Sequence, residues 1–303
     1  MPAIAAVDVG SNAIRLVVLE VGGSGHGRHL EQQRYALRLG TDVFGTGAIS
    51  TDTLERMLTV FTDIAARLHQ HGVTCYRAVG TSALRDARNT REVVETLRRT
   101  TGISLEVIDG REETRLMRDA LLREVDAPRR GMLLIDLGGG SLELERLPGR
   151  RSLSLPLGTV RLLHRYPVLQ EPLSAEAISA IGLEIECELR QALHRRRPCT
   201  IGVGTGGNLD ALGRLVPVVD RPCVTIDVGR LEALAVEAGA LTMGERGLRY
   251  GLRPDRADLV LPAALVVLAL SRVVGLHEIL VPGTGLRQAL LYELAASLGI
   301  TLT

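Results

Sequence analysis

The sequence predicts an α/β protein built from two similar halves. Three observations carry this. A buried-looking strand, Ile4-Ala5-Ala6-Val7-Asp8-Val9, ends in an aspartate and a turn of small residues, Gly10-Ser11-Asn12. In mid-chain, Leu133-Leu134-Ile135-Asp136-Leu137 runs likewise into Gly138-Gly139-Gly140-Ser141. After each motif, period-two and period-3.6 hydrophobic runs follow in the order βββαβαβα and then in outline again, as mixed sheets with helical crossovers require. The 303 residues are enough for two cores. The reading places a first domain at 1–125 and a second at 126–285. A C-terminal helix at about 286–303 is free to pack back on the first.

The elements follow in order. Ala3–Val9 reads as a buried strand and Ile14–Val21 as its hairpin partner; the glycine-rich turn 22–27 leads to a third strand. Ser50–His71 is an amphipathic helix, with Leu54, Met57, Leu58, Phe61, Ile64, Ala65 and Leu68 at helical spacing and Gly72 closing it. Val73–Val79 is a strand, Thr90–Arg99 a helix, Ile103–Ile108 a strand, and a helix runs from about Glu112 to Arg123. A polar break at Asp126–Arg130 separates the halves. Met132–Leu137, Leu142–Leu147 and Ser152–Leu155 are strands, and a long helix starts at Ser174. Thr200–Val203 is a strand and a helix follows Gly207. Helices near Leu231–Leu241 and Ala257–Val274, a strand Glu278–Val281 and a helix Leu286–Ser297 complete the chain.

Composition excludes several classes. Net charge is +1 and aromatics make up 2% of the chain, so neither a nucleic-acid polymer nor a base-stacking platform is expected as partner. Every basic side chain is Arg, which removes a lysine Schiff base and the P-loop lysine. Cys75, Cys187, Cys199 and Cys223 are dispersed, so no disulfide framework or zinc site is indicated. The apolar run Leu259–Leu270 is too short for a bilayer and contains Pro262, so no membrane partner is expected. No signal peptide is evident, and the expected location is cytoplasmic. A homodimer is plausible but undetermined from sequence.

The twin turns carry the chemistry. Glycine and serine let backbone N–H groups approach an anion, and an aspartate at the strand end can hold a divalent cation against it. Asp8 and Asp136 are the candidate metal-side carboxylates. Glu143 lies two residues beyond Ser141 and shares a face with that turn, although an exposed strand residue fits equally. In Asp109-Gly110-Arg111-Glu112-Glu113, Asp109 and Glu112 have capping-box spacing. Glu113, about 100° further round the helix, can deprotonate a water; a solvated first-turn glutamate is the plainer reading of the spacing. Gly80-Thr81-Ser82-Ala83-Leu84-Arg85 ends a strand in hydroxyls and an arginine suited to a second phosphate. Ile201-Gly202-Val203-Gly204-Thr205-Gly206-Gly207-Asn208 satisfies G-x-G-x-x-G, but no acidic strand end is read at the usual distance, so it is taken as a third glycine loop of the same cleft. Arg129-Arg130, Arg150-Arg151 and Arg195-Arg196-Arg197 are either a track for a polyanion or solvated surface clusters.

Taken in order, these segments, with Pro254-Asp255-Arg256-Ala257-Asp258 and Pro282-Gly283-Thr284-Gly285-Leu286-Arg287, resemble the exopolyphosphatase / guanosine pentaphosphate phosphohydrolase (Ppx/GppA) family over nearly the whole chain. The resemblance implies a duplicated actin-like ATPase (ribonuclease H-like) fold with two domains around a central cleft. It implies Mg²⁺- (or Mn²⁺-) dependent hydrolysis of the terminal phosphate of inorganic polyphosphate, or of pppGpp. By position Glu113 corresponds to the general base, Asp136 to the carboxylate of the second glycine turn and Glu143 to an acidic residue beside it. Gly138, Gly139, Gly140 and Ser141 would wrap the phosphate. Gly10, Ser11, Asn12, Thr81 and Arg85 would lie opposite, with Gly206 and Gly207 alongside; Asp8, Asp136 and Glu143 would face the metal. The chain looks like the short form of the family, without extra C-terminal helical domains. Rival readings are an actin-like nucleotide-binding module without hydrolysis and a sugar-type kinase on the same fold.

Overall fold

The computed structural model describes residues 1–22, 26–124, 131–148, 151–193 and 198–302. The tip of the first glycine-rich turn (23–25), the polar break at 126–130, Arg129-Arg130, Arg150 and Arg195-Arg196-Arg197 lie outside the described residues. The chain divides into two compact units, Met1–Ala120 with Thr284–Thr303, and Leu121–Gly283.

In the first unit, strands β1 (Ala3–Val9), β2 (Ile14–Val21), β3 (Gly27–Tyr35), β4 (Val73–Gly80) and β5 (Leu105–Val107) form one sheet in the order β3-β2-β1-β4-β5. β1 pairs antiparallel with β2 and parallel with β4. All seven β1 residues are buried, as a central strand covered on both faces requires. Its period of two divides them between two cores. Ala3, Ala5, Val7 and Val9 join Met57, Phe61 and Ile64 of the helix Thr51–Gln70 and Val93 and Leu97 of the helix Thr90–Thr101. Ile4 and Ala6 join Leu116 and Ala120 of the helix Gly110–Glu124 and Leu290, Leu291 and Leu294 of the helix Leu286–Ser297. Ser50 caps the Thr51–Gln70 helix, its Oγ accepting from Thr53 N at 3.2 Å, and Gly72 turns the chain away at φ +58°.

An ion-pair lattice fastens the last helix to this sheet. Glu293 accepts from Arg77 on β4 and, at 2.6 Å, from Arg115 of the helix Gly110–Glu124. Arg115 also holds Glu112, with two contacts of 2.7 Å.

The second unit repeats the plan. Strands β6 (Met132–Leu137), β7 (Leu142–Arg146), β8 (Ser152–Leu155), β9 (Ile201–Thr205), β10 (Val224–Asp227) and β11 (Glu278–Val281) form a sheet in the order β10-β11-β9-β6-β7-β8. Read from β8 to β11, it has the order and strand directions of the first sheet, with β10 added at an edge. The hairpins closing β1–β2 and β6–β7 match in detail: Gly10 N donates to Ala13 O at 3.1 Å, and Gly138 N to Ser141 O at 3.0 Å. The fold is α/β, a duplicated actin-like ATPase fold.

Among the described residues, α-helices not read from the sequence include Leu39–Thr46, Ser82–Asp86, Thr159–Arg165 and Met243–Tyr250. The first three are short and lack a full amphipathic period, so pattern alone does not separate them from loops. Strand β10 was missed as well. It ends in Asp227, an acidic strand end of the kind thought absent. β10 is antiparallel to β11 and does not border β9, and Asp227 caps Gly229 N at 2.9 Å. The geometry of a dinucleotide fingerprint is therefore not met, for a different reason from the one read in the sequence. The apolar helical stretch is also longer than expected. Pro254–Val274 spans 21 residues and includes an 18-residue segment of mean hydropathy 2.0, enough by length and composition to cross a bilayer, but 83% of that segment is buried inside the protein, as in a core helix. It packs against the helices Ala175–Leu193 and Leu231–Ala240.

Arg246 lies at the heart of this helical layer and is fully buried. Its guanidinium donates to Ala238 O (2.6 Å), Leu169 O (2.8 Å) and Glu171 O (3.5 Å), satisfying carbonyls at the ends of two helical segments. Burial lowers its pKa from the ordinary arginine value.

Candidate active site

In the first unit the site residues gather where β1 and β4 end. Thr81 N donates to Val9 O at 3.2 Å, tying the two strand ends together. Asp8 points from the face shared with Ile4 and Ala6 and accepts from Arg15 Nη1 at 3.0 Å through Oδ2. Ser11 and Ser82 are buried, and among the described residues neither hydroxyl has a hydrogen-bond partner. Two orphaned hydroxyls beside a turn of small residues suit an anionic ligand, since buried polar groups otherwise find partners. Asn12 is held by Arg38, whose Nε donates to Oδ1 at 2.7 Å.

Arg85 and Glu113 meet in this unit. Arg85 Nη1 donates to Ile108 O at 3.0 Å and to Glu113 Oε2 at 3.3 Å. Glu113 is buried, which removes the plainer reading of a solvated first-turn residue. Asp109 caps this helix, accepting from Arg111 N (2.9 Å) and Glu112 N (2.8 Å). Glu112 does not serve as the expected return half of a capping box. Its carboxylate is taken by Arg115 and Arg77, because two guanidiniums outcompete a single neutral N–H. The Arg115 hydrogen bonds hold Glu112 below the usual carboxylate range, against burial, with Arg77 assisting.

In the second unit Asp136 on β6 and Glu143 on β7 are cross-strand partners, with carboxylate oxygens within 4.8 Å of one another. Glu143 is 1% exposed, so the reading of an exposed strand residue fails; Ser154 Oγ donates to its Oε1 at 2.9 Å. A half-buried and a fully buried carboxylate this close repel unless a cation or proton joins them. Their hard oxygen donors suit Mg²⁺ or Mn²⁺ rather than a soft metal.

The glycine turn beside them is gripped from behind. Gly138 O accepts from Thr159 N (3.1 Å), Gly139 O from Val160 N (2.8 Å) and Arg161 N (3.1 Å), and Gly140 O from Arg161 Nε (2.7 Å). In a trans peptide the N–H points opposite to the C=O. Carbonyls drawn to the helix Thr159–Arg165 therefore turn the Gly139 and Gly140 N–H groups the other way, and among the described residues no acceptor takes them. Such a nest binds anions. Gly158 makes the approach possible, because a Cβ there would lie 2.3 Å from Gly140 C. Gly206, at φ +95°, brings its backbone against Asp136; a Cβ would stand 2.7 Å from Oδ1. Gly207 opens the helix Gly207–Leu215 and is crowded by Arg256.

Every site residue expected from the sequence thus sits at a strand end or first helical turn of its own unit. Sequence reading missed Gly158, Thr159 and Arg161, and it left Arg256 without a role. The glycine in Pro156-Leu157-Gly158-Thr159, following the third strand, was the available signal.

The profile of the Ppx/GppA phosphatase family matches residues 17–298. The chain belongs to that family. This Ppx/GppA chain is 31% identical to Exopolyphosphatase 2 of Mycobacterium tuberculosis over 293 residues, covering 89% of this chain and 90% of the relative. It is 27% identical to Exopolyphosphatase 1 of the same organism over 297 residues, covering 94% and 86%. Among solved structures it resembles an exopolyphosphatase from Cytophaga hutchinsonii (TM-score 0.85, 23% identity, 99% of each chain). It also resembles the Aquifex aeolicus Ppx/GppA family member (TM-score 0.79, 24% identity, 98% of each chain). As a Ppx/GppA member the protein is a phosphoanhydride hydrolase.

Proposed function

We propose that the protein is an exopolyphosphatase, releasing orthophosphate from the end of inorganic polyphosphate. The observation that carries this reading is the Asp136–Glu143 carboxylate pair beside a glycine turn whose carbonyls are all engaged from behind. A terminal phosphoryl group takes its hydrogen bonds from the Gly139 and Gly140 N–H groups and Ser141. Ser11, Asn12, Thr81 and Arg85, with Gly10, form a second set of donors in the first unit, and Gly206 and Gly207 allow close backbone approach in the second.

Glu113 serves as general base. A water oxygen attacks the terminal phosphorus while Glu113 takes its proton. The anhydride P–O bond breaks, the shortened chain leaves with the bridging oxygen, and one orthophosphate is formed. Arg85 orients the Glu113 carboxylate and offsets charge on the phosphoryl oxygens. Asp136 and Glu143 would hold Mg²⁺ (or Mn²⁺); Asp8, whose Oδ1 Arg15 leaves open, is the corresponding strand-end carboxylate of the first unit. When bound, that ion neutralises the charge of bridging and terminal oxygens. The relatives named exopolyphosphatase support polyphosphate as the substrate.

The test is phosphate release from short-chain polyphosphate, long-chain polyphosphate, pppGpp and ATP, side by side with Mg²⁺. Polyphosphate should be turned over fastest. Preferential cleavage of pppGpp would overturn the substrate assignment, and no release from any of the four would overturn the reading as a whole.

A further inference from the structure

The glycine turn is held by one more contact, and its source lies elsewhere in the sequence. Asn208, in the first turn of the helix Gly207–Leu215, is buried. Its Nδ2 donates to Leu137 O at 2.8 Å, Thr159 Oγ1 at 3.1 Å and Gly138 O at 3.2 Å. Its Oδ1 accepts from Arg256 Nη1 at 3.1 Å. An amide can face a site in two ways, its oxygen and nitrogen exchanged. Arg256 settles the choice, because a guanidinium only donates and the Asn208 oxygen must therefore face it. The NH₂ group is then fixed on the carbonyl side of the turn. A positive charge on Oδ1 also polarises the amide and strengthens the bonds that its N–H groups make.

We infer that Arg256 and Asn208 form a positioning relay that aims the phosphate-binding N–H groups of the Gly138-Gly139-Gly140 turn. The inference rests on the phosphatase reading above. Both residues act through the turn, so they are positioning residues. The Asn208 bond to Gly138 O sets the plane of the 138–139 peptide and with it the direction of the Gly139 N–H. Its bond to Thr159 Oγ1 locks the helix Thr159–Arg165 onto the same turn. A donor aimed at where charge develops costs nothing to reorganise during reaction, so loss of aim appears in turnover more than in binding.

The test measures kcat and KM on short-chain polyphosphate with Mg²⁺ for the wild type, Asn208→Asp, Asn208→Ala, Arg256→Lys, Arg256→Ala and the double variant Asn208→Ala/Arg256→Ala. Thermal unfolding is recorded for each. Asn208→Asp replaces the donor by an acceptor and should lower kcat by roughly 30–100-fold with KM within about twofold. Arg256→Lys keeps the charge on Oδ1 and should retain much more activity than Arg256→Ala. The double variant should be no slower than the slower single, as members of one unit behave. A wild type that releases no phosphate overturns the parent reading and this inference with it. An active wild type whose folded variants keep full kcat, or whose two losses multiply in the double variant, overturns this inference alone. Loss confined to the unfolding temperature does so too.

Discussion

Arg85 Nη1 lies 3.3 Å from Glu113 Oε2, and the same nitrogen donates to Ile108 O at 3.0 Å. The guanidinium of Arg85, on the short helix Ser82–Asp86, thus orients the first-turn glutamate, and the two come from segments that the sequence presents as separate motifs. Removing either side chain disturbs the other.

Glu113→Gln keeps the shape and removes the proposed base. It should lower kcat for phosphate release about 10²–10⁴-fold, the usual worth of general base catalysis, with KM little altered. Initial rates on polyphosphate across substrate concentration check this; near-normal turnover refutes the base assignment.

Arg85→Ala removes the proposed phosphate donor and the partner of Glu113. Both kcat and kcat/KM should fall, by roughly tenfold or more, on the scale of one lost charge-assisted hydrogen bond. Arg85→Lys keeps the charge but not the planar guanidinium whose Nη1 reaches both Ile108 O and Glu113, and should recover only part of the loss. An Arg85→Lys enzyme equal to wild type would show that geometry at this position is immaterial.

Gly206→Ala places a Cβ 2.7 Å from Asp136 Oδ1 at a backbone φ of +95°. Strain of this kind costs about 1–3 kcal/mol, and the carboxylate must move. Activity should fall more than tenfold at fixed Mg²⁺, on the scale of 1.4 kcal/mol per decade, and half-activation should require more metal. A Mg²⁺ titration of phosphate release reads both; an unchanged activation curve would detach Asp136 from the metal.

Arg246→Met leaves the carbonyls of Ala238, Leu169 and Glu171 without their donor in a buried layer. The loss should be about 3 kcal/mol or more of stability. The midpoint of urea unfolding measures it, and a midpoint equal to wild type would show that the apolar replacement compensates fully.

Glu112 carries a pH signature. Hydrogen bonding to Arg115, then Arg77, lowers its pKa in the folded state. A depressed carboxylate contributes stability above its unfolded value, roughly 4.3 for Glu, and that contribution disappears as pH falls through the lowered folded value. Urea midpoints from pH 6 down to pH 3 should therefore drop more steeply in wild type than in Glu112→Gln. Parallel profiles would remove Glu112 from the acid sensitivity.

Much of this architecture was legible because burial leaves regular traces. β1 alternates two cores along seven residues, all apolar but Asp8, and the Thr51–Gln70 helix shows its stripe and its Ser50 cap in plain sequence. The paired Asp-turn motifs announced the duplication, since ordinary turns do not demand an aspartate at the strand end. What escaped depends on tertiary partners. Thr159–Arg165 is too short to show a period, and it becomes a backing for the glycine turn only when Gly158 meets Gly140. Glu112 and Asp109 have the spacing of a reciprocal cap, yet Arg77 arrives from β4 and joins Arg115, one turn along the same helix, in taking the glutamate. Arg256 looks like any surface arginine until Asn208 is placed beside it.

The helix Leu286–Ser297 completes the core on one face of the first sheet, and Arg77 and Arg115 fasten it there. On the ribosome, that sheet must wait with this face covered only in part, by Leu116 and Ala120, while all of Leu121–Gly283 is translated. At ordinary elongation speeds the delay is about 10–30 s. The polypeptide begun first is finished last, and until then its sticky side is a natural client for holding chaperones.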